Sequence, residues 1–173
     1  MTGVVSQELL PKTVEVDNTE FEVLARALLG TGLAIRFRAK GFSMRPLVRD
    51  GDALLVAPIK PTDVRVGDLV LFRRGCEDLV VHRVLKRASS RGSLAFLIKG
   101  DRAASADGLI SSADVMGRVV ARERGSKTAD LMAPRWRLLG RVVAWLSPFL
   151  HRLTPAARGV RRGLAGSACR LGL

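Results

Sequence analysis

The stretch Gly41-Phe42-Ser43-Met44-Arg45-Pro46, followed by Arg49-Asp50-Gly51-Asp52, sets a serine between a strand-like run and a tight Gly/Asp turn. Gly41 permits close backbone approach and Pro46 fixes the exit path, so the hydroxyl sits on a stiff backbone. Such a serine is a candidate nucleophile, but it needs a positioned base before it can attack a carbonyl. His82, one of two histidines, lies in the apolar run Asp78-Leu79-Val80-Val81-His82-Arg83-Val84-Leu85. Downstream, Ile98-Lys99-Gly100-Asp101 ends a strand-like segment in Gly-Asp, and Asp107 follows on a loop. Hydroxyl, imidazole and carboxylate are the parts of a triad in which Ser43 attacks, His82 takes and returns the proton, and an aspartate orients the imidazole. Only neutral imidazole can act as that base, so activity would decline on acidification. Each residue also has a plainer reading: Ser43 as a turn residue, His82 as a core side chain and Asp107 as a loop cap.

The elements that must position these groups are short strands. From 33 to 124, alternating and apolar runs separated by turn residues predict strands at 33–38, 52–57, 68–74, 78–87, 94–99 and 115–124. Glycines at 51, 67, 75, 92 and 100 punctuate them, and Pro58 and Pro61 bracket the connection between the second and third. Before this body, Thr19-Glu20-Phe21-Glu22 has the form of a capping box. Phe21, Leu24, Ala25, Leu28 and Leu29 then follow the i, i+3, i+4, i+7, i+8 spacing of one buried helix face, stopped by Gly30 and Gly32. After 124 the period turns helical, with Leu139, Val142, Val143, Leu146, Leu150 and Leu153 on one side and Arg137, Arg141 and Arg152 elsewhere. Trp136 and Trp145 add to its apolar surface, and Pro148 is expected to kink or end the helix. Periodicity leaves open whether that apolar side meets lipid or its own domain. The expected fold is therefore mainly β. The expected divisions are a polar lead-in and short packing helix over 1–32, a β-rich core over 33–124 and an Arg-rich amphipathic helical tail over 125–173.

Composition bounds the partners. The chain has 173 residues, 47% of them hydrophobic, which is enough for one well-buried domain with appendages. Its formal net charge of +13 is unevenly placed, with eight arginines and no acidic residue from Ala133 to Leu173. Such a tail should seek an anionic surface, phospholipid before nucleic acid, because arginines without an aromatic-rich β platform give only sequence-independent affinity for nucleic acid. Cys76 and Cys169 match no metal spacing and read as reduced thiols, and no metal or cofactor is called for. No stretch reaches the roughly 20 apolar residues of a spanning helix. Residues 1–16 carry acids and lack the apolar core of a secretory signal. The expected location is cytoplasmic, with any attachment peripheral, on the inner face of the membrane.

The ordered set GFSMRP with Gly51-Asp52, VGDLVLF at 66–72, DLVVHRVL at 78–85, KGD at 99–101 with Asp107, and MGRVV at 116–120 resembles the signal peptidase I family of serine peptidases. The likeness covers roughly 33–122. Histidine in DLVVHRVL resembles the archaeal and endoplasmic-reticulum branch, which works with Ser and His. The resemblance implies Ser43 as nucleophile, His82 as general base, Asp107 as the catalytic acidic residue and Asp101 as a more structural carboxylate. It also implies a β-rich core in which the substrate lies as an added strand, flanked by Arg36–Phe42 and Val80–Arg83, and presents small side chains. Phe42, Met44 and Val81 would contact that peptide. With Gly41 and Phe42 before the serine, no side-chain hydroxyl is available as oxyanion donor, so the Ser43 N–H takes that role. The GxSMxP form is also similar to the self-cleaving domains of phage and SOS repressors, which use a lysine where this chain has His82. The alternative expectations are a weak or inactive peptidase-fold module that binds peptide or anionic membrane, and a repressor-type self-cleaving domain.

Overall fold

The computed structural model describes residues 18–75, 78–90 and 92–150. The expectations for the polar lead-in, for both cysteines and for the tail beyond 150 lie outside these residues.

Helix α1 (Asn18–Gly30) opens the described chain. Thr19 already lies inside it, so the helix starts earlier than a cap at that residue would place it. Its inner face is Ala25 and Leu29, both buried, with Phe21 and Leu28 packed beside them. Phe21 meets the Phe37 ring edge-on at 5.0 Å.

Eight strands follow: β1 (Ile35–Arg38), β2 (Ala53–Ala57), β3 (Leu69–Arg74), β4 (Asp78–Ser90), β5 (Ser93–Lys99), β6 (Gly108–Ser111), β7 (Val115–Arg124) and β8 (Lys127–Asp130). All pair antiparallel in one sheet of order β1-β2-β7-β3-β4-β5-β6, with β8 added to β7. The fold is mainly β, as expected. The reason the sheet curls is legible on β3, where Leu69-Val70-Leu71-Phe72 is apolar at every position rather than at alternate ones. Side chains of a strand alternate faces, so such a run must be covered on both. Leu69 and Leu71 enter a core beneath α1 with Ile35, Leu54, Val56 and Val119, whereas Val70 and Phe72 enter a second core with Val64, Val84, Phe96 and Ile98. Each fully buried side chain of this kind contributes about 1.5–3 kcal/mol.

Two strands escape the sequence pattern. β6 is only four residues long and half exposed, and β8 is the polar Lys-Thr-Ala-Asp. Gly125-Ser126 joins β7 to β8 as a two-residue hairpin, with Gly125 at φ 56°. The packed body thus continues past 124: Ala129 and Leu131 are buried in the first core, and helix α2 (Pro134–Leu150) docks beyond them. The helix neither ends nor breaks off at Pro148, but runs through it to Leu150. A proline inside a helix costs about 3 kcal/mol. That cost is offset by docking on the sheet through Gly140, Ala144 and Ser147, all buried. Among the described residues, no helix is long and apolar enough to cross a membrane.

Candidate active site

Ser43 sits in the loop between β1 and β2, and the loop's own hydrogen bonds explain its shape. Ala39 N–H donates to Asp52 O, Gly51 N–H returns to Ala39 O, and Gly41 N–H donates to the Asp50 carboxylate at 2.7 Å. Gly41 and Gly51 both take positive φ, 100° and 82°, which a side chain would oppose. Met44 and Val48 are buried and pin the loop into the first core. From behind, Arg124 grips both oxygens of Asp52 at 2.8 and 2.7 Å and also donates to Leu47 O. This pairing holds the Asp52 carboxyl below the usual carboxylate range.

His82 lies on β4, 3% exposed, beside the Phe72 ring at 6.1 Å. Its Nε2 is 2.9 Å from Ser43 Oγ, and its Nδ1 is 2.6 Å from Asp107 Oδ2. Since a carboxylate can only accept, Nδ1 carries the proton, which leaves the Nε2 lone pair facing the serine hydroxyl. Asp107 is placed by its own N–H donating to Ile98 O at 2.9 Å. The serine hydroxyl is therefore aligned with an imidazole nitrogen whose partner across the ring is held by the Asp107 carboxyl, the arrangement that can activate an alcohol for acyl transfer.

All four expected polar residues occupy one neighbourhood, but only three form the relay. Asp101 instead receives both Nε and Nη2 of Arg83 at 2.7 Å, while Arg83 Nη1 donates to Gly67 O at 2.9 Å. This buried pair fixes the residue next to His82, a structural part. The turn after Asp101 closes onto the serine loop through Arg102 N–H to Ser43 O at 2.8 Å.

A groove of about 1140 Å³ runs past these groups. One wall is the edge of β1 and its continuation, from Arg36 to Ala39, which among the described residues pairs only with β2; the other is Leu79–His82 of β4, whose pairing with β5 begins only at Arg83. Both walls thus offer unpaired strand edge to an extended chain. Phe42, Met44 and Val81 all line the groove: Phe42 is 60% exposed with the Arg45 guanidinium 4.5 Å from its ring centre, Met44 is buried floor, and Val81 is half-buried. Among the described residues the Ser43 N–H has no acceptor, so it is available to an oxyanion. No group of three or more His, Cys, Asp or Glu among them could hold a metal.

Two contributors escaped the sequence reading. Arg74, at the end of β3, places Nη1 3.3 Å from the other oxygen of Asp107. Nothing in an arginine at a strand end distinguishes this role. Gly100 is the second: a Cβ there would lie 2.9 Å from His82 Nε2 and 3.1 Å from Ser43 Cβ. Its signal was its place in Lys-Gly-Asp, beside the carboxylate that attracted attention instead. No family model matches the chain.

Proposed function

We propose that this protein is a serine endopeptidase of the signal peptidase I type, hydrolysing a peptide bond after a small residue in a leader-type peptide. The observation that carries the reading is the hydrogen-bonded series Ser43 Oγ, His82 Nε2, His82 Nδ1 and Asp107 Oδ2. An extended substrate lies between the edges of β1 and β4, its carbonyl carbon facing Ser43. Oγ attacks as Nε2 takes its proton, and the oxyanion is met by the Ser43 N–H. The imidazolium, stabilised by Asp107, gives the proton to the leaving amine, and the acyl-enzyme is then hydrolysed by water activated through the same nitrogen. The preference for a small residue comes from the sequence resemblance. Gly41, two residues before the serine, leaves one backbone donor where the family this chain resembles adds a side-chain hydroxyl.

We also propose a peripheral place on an anionic surface, supported by the charge of the segment from Ala133 onward. Cleavage of leader peptides by purified wild type, Ser43→Ala and His82→Ala proteins tests the peptidase reading, alongside labelling by a serine-reactive fluorophosphonate. Loss of both cleavage and labelling in Ser43→Ala is expected. Equal cleavage by the variants would overturn the mechanism, and a wild type that neither cleaves nor labels would favour an inactive peptide-binding module.

A further inference from the structure

Helix α2 has two apolar faces, and the described residues of the domain pack on one of them. Gly140 lies against Gly67, where a Cβ would fall 2.7 Å from Gly67 O and 3.1 Å from Arg83 Nη1. Ala144 and Ser147 are buried on the same side, Ser147 O accepts from buried Lys99 Nζ at 3.5 Å, and Trp136 packs on the first core. The opposite side carries Leu138 at 62% exposure, Val142 at 43% and Trp145 at 71%, spaced i, i+4, i+7, with Leu139 at 44% on its flank. Sequence periodicity put Leu139, Val142, Val143 and Leu146 together on one side. The structure turns Val143 and Leu146 partly inward and leaves Leu139 and Val142 in solvent.

Charge selects what this outer face meets. Arg135 and Arg141 are both exposed, Arg141 flanking the stripe of Leu138, Val142 and Trp145. No acidic residue occurs anywhere from 131 to 173. An apolar stripe with unbalanced arginines beside it matches a surface that is apolar and anionic at once. An anionic bilayer rewards every one, by about five-fold in partition per arginine brought to the surface. Apolar side chains then enter the headgroup and acyl boundary while the arginine stems reach back to phosphate.

We infer that the Leu138–Val142–Trp145 face of α2 is a membrane-contact surface, lying flat on anionic phospholipid while the opposite face stays docked on the sheet. This rests on the peripheral placement proposed above and names the residues that make the contact. It is independent of the peptidase chemistry.

Flotation of the full chain with phosphatidylcholine vesicles, with or without phosphatidylglycerol, tests it. Wild type should float only with the anionic vesicles, and its tryptophan emission should shift to the blue, a shift absent in Trp145→Phe. Leu138→Ser with Val142→Ser should lower partitioning about ten-fold or more while leaving the fold and peptide cleavage intact. Three results would overturn the inference. One is a double variant that floats as well as wild type, while Gln in place of Arg152, Arg158, Arg161, Arg162 and Arg170 abolishes flotation; peripheral placement would then stand on charge alone. The second is a wild type that never floats, which removes the peripheral reading too. In the third, a wild-type dimer becomes monomeric in the double variant without vesicle binding, making a second copy the occupant.

Discussion

Gly100→Ala should disable the site while sparing the fold. Gly100 lies where the chain leaves β5 and takes no positive φ, so alanine meets no backbone objection there. The objection is steric. An added methyl would sit 2.9 Å from His82 Nε2, 3.1 Å from Ser43 Cβ and 3.1 Å from Ser43 O. Ordinary heavy-atom contact begins near 3.5 Å, so the imidazole and the serine loop must retreat from it by about 0.5 Å. The Oγ to Nε2 separation of 2.9 Å then opens to about 3.4 Å, past the reach of proton transfer. Misplacement on this scale costs on the order of 100-fold in rate. Overpacking a well-filled site costs about 1–3 kcal/mol of stability, which for a chain of this size lowers Tm by about 2–12 °C. Steady-state cleavage of a leader peptide, read beside calorimetric Tm, checks both numbers. Gly100→Ala protein that cleaves at the wild-type rate would refute the reasoning, because the methyl would then be accommodated without parting the serine from the imidazole.

Two further outcomes follow from the charges around the site. Arg74→Met removes the cation on the outer oxygen of Asp107, so kcat should fall about ten-fold with KM little changed, and Arg74→Lys should recover part of it. Equal kcat values for all three proteins would show that Asp107 needs no second partner. Asp52→Asn breaks the bidentate contact with Arg124 and should cost about 2–3 kcal/mol near neutral pH. Because the folded-state pKa of Asp52 is lowered, its stabilisation is complete above the ordinary carboxylate value of about 4 and is lost as pH falls through the lowered one. The Tm gap between wild type and Asp52→Asn should therefore close on strong acidification, and a constant gap from neutral to strongly acid pH would count against the pairing.

How much of this was legible in the sequence depends on how local the signal is. The β3 run Leu69–Phe72 and the Gly51-Asp52 turn declare themselves, because apolar pattern and turn chemistry are properties of neighbours in the chain. The six expected strands are therefore all present, within a few residues at each end. β8 is silent in hydrophobicity because Thr128 and Lys127 face solvent; only Gly125-Ser126 announced it, as a two-residue hairpin turn. At the site, residue type was enough to select Ser43, His82 and two aspartates. Residue type did not separate the two aspartates; the resemblance gave Asp107 to the imidazole, and the structure supplies the physical reason, since Arg83, one residue after His82, projects elsewhere and claims Asp101. Arg74 could not have been found this way, since it reaches Asp107 only because β3 and β4 pair in a particular register.

That register also ties the outer helix to the chemistry. His82 and Arg83 are consecutive on β4 and so point to opposite faces of the sheet, one toward Ser43 and the other toward Asp101 and Gly67 O. Gly67 is where α2 seats Gly140, and its own Cβ would fall 2.7 Å from the Arg141 backbone. Lys99, cross-strand from Arg83, reaches the far end of the same helix at Ser147 O and is followed directly by Gly100. The backbone that spaces the imidazole from the serine thus also carries the seat of α2. A bilayer bound to the outer face of this helix would lie on an element fixed to β4 by buried contacts, so the groove would be presented at a set height and angle to the surface.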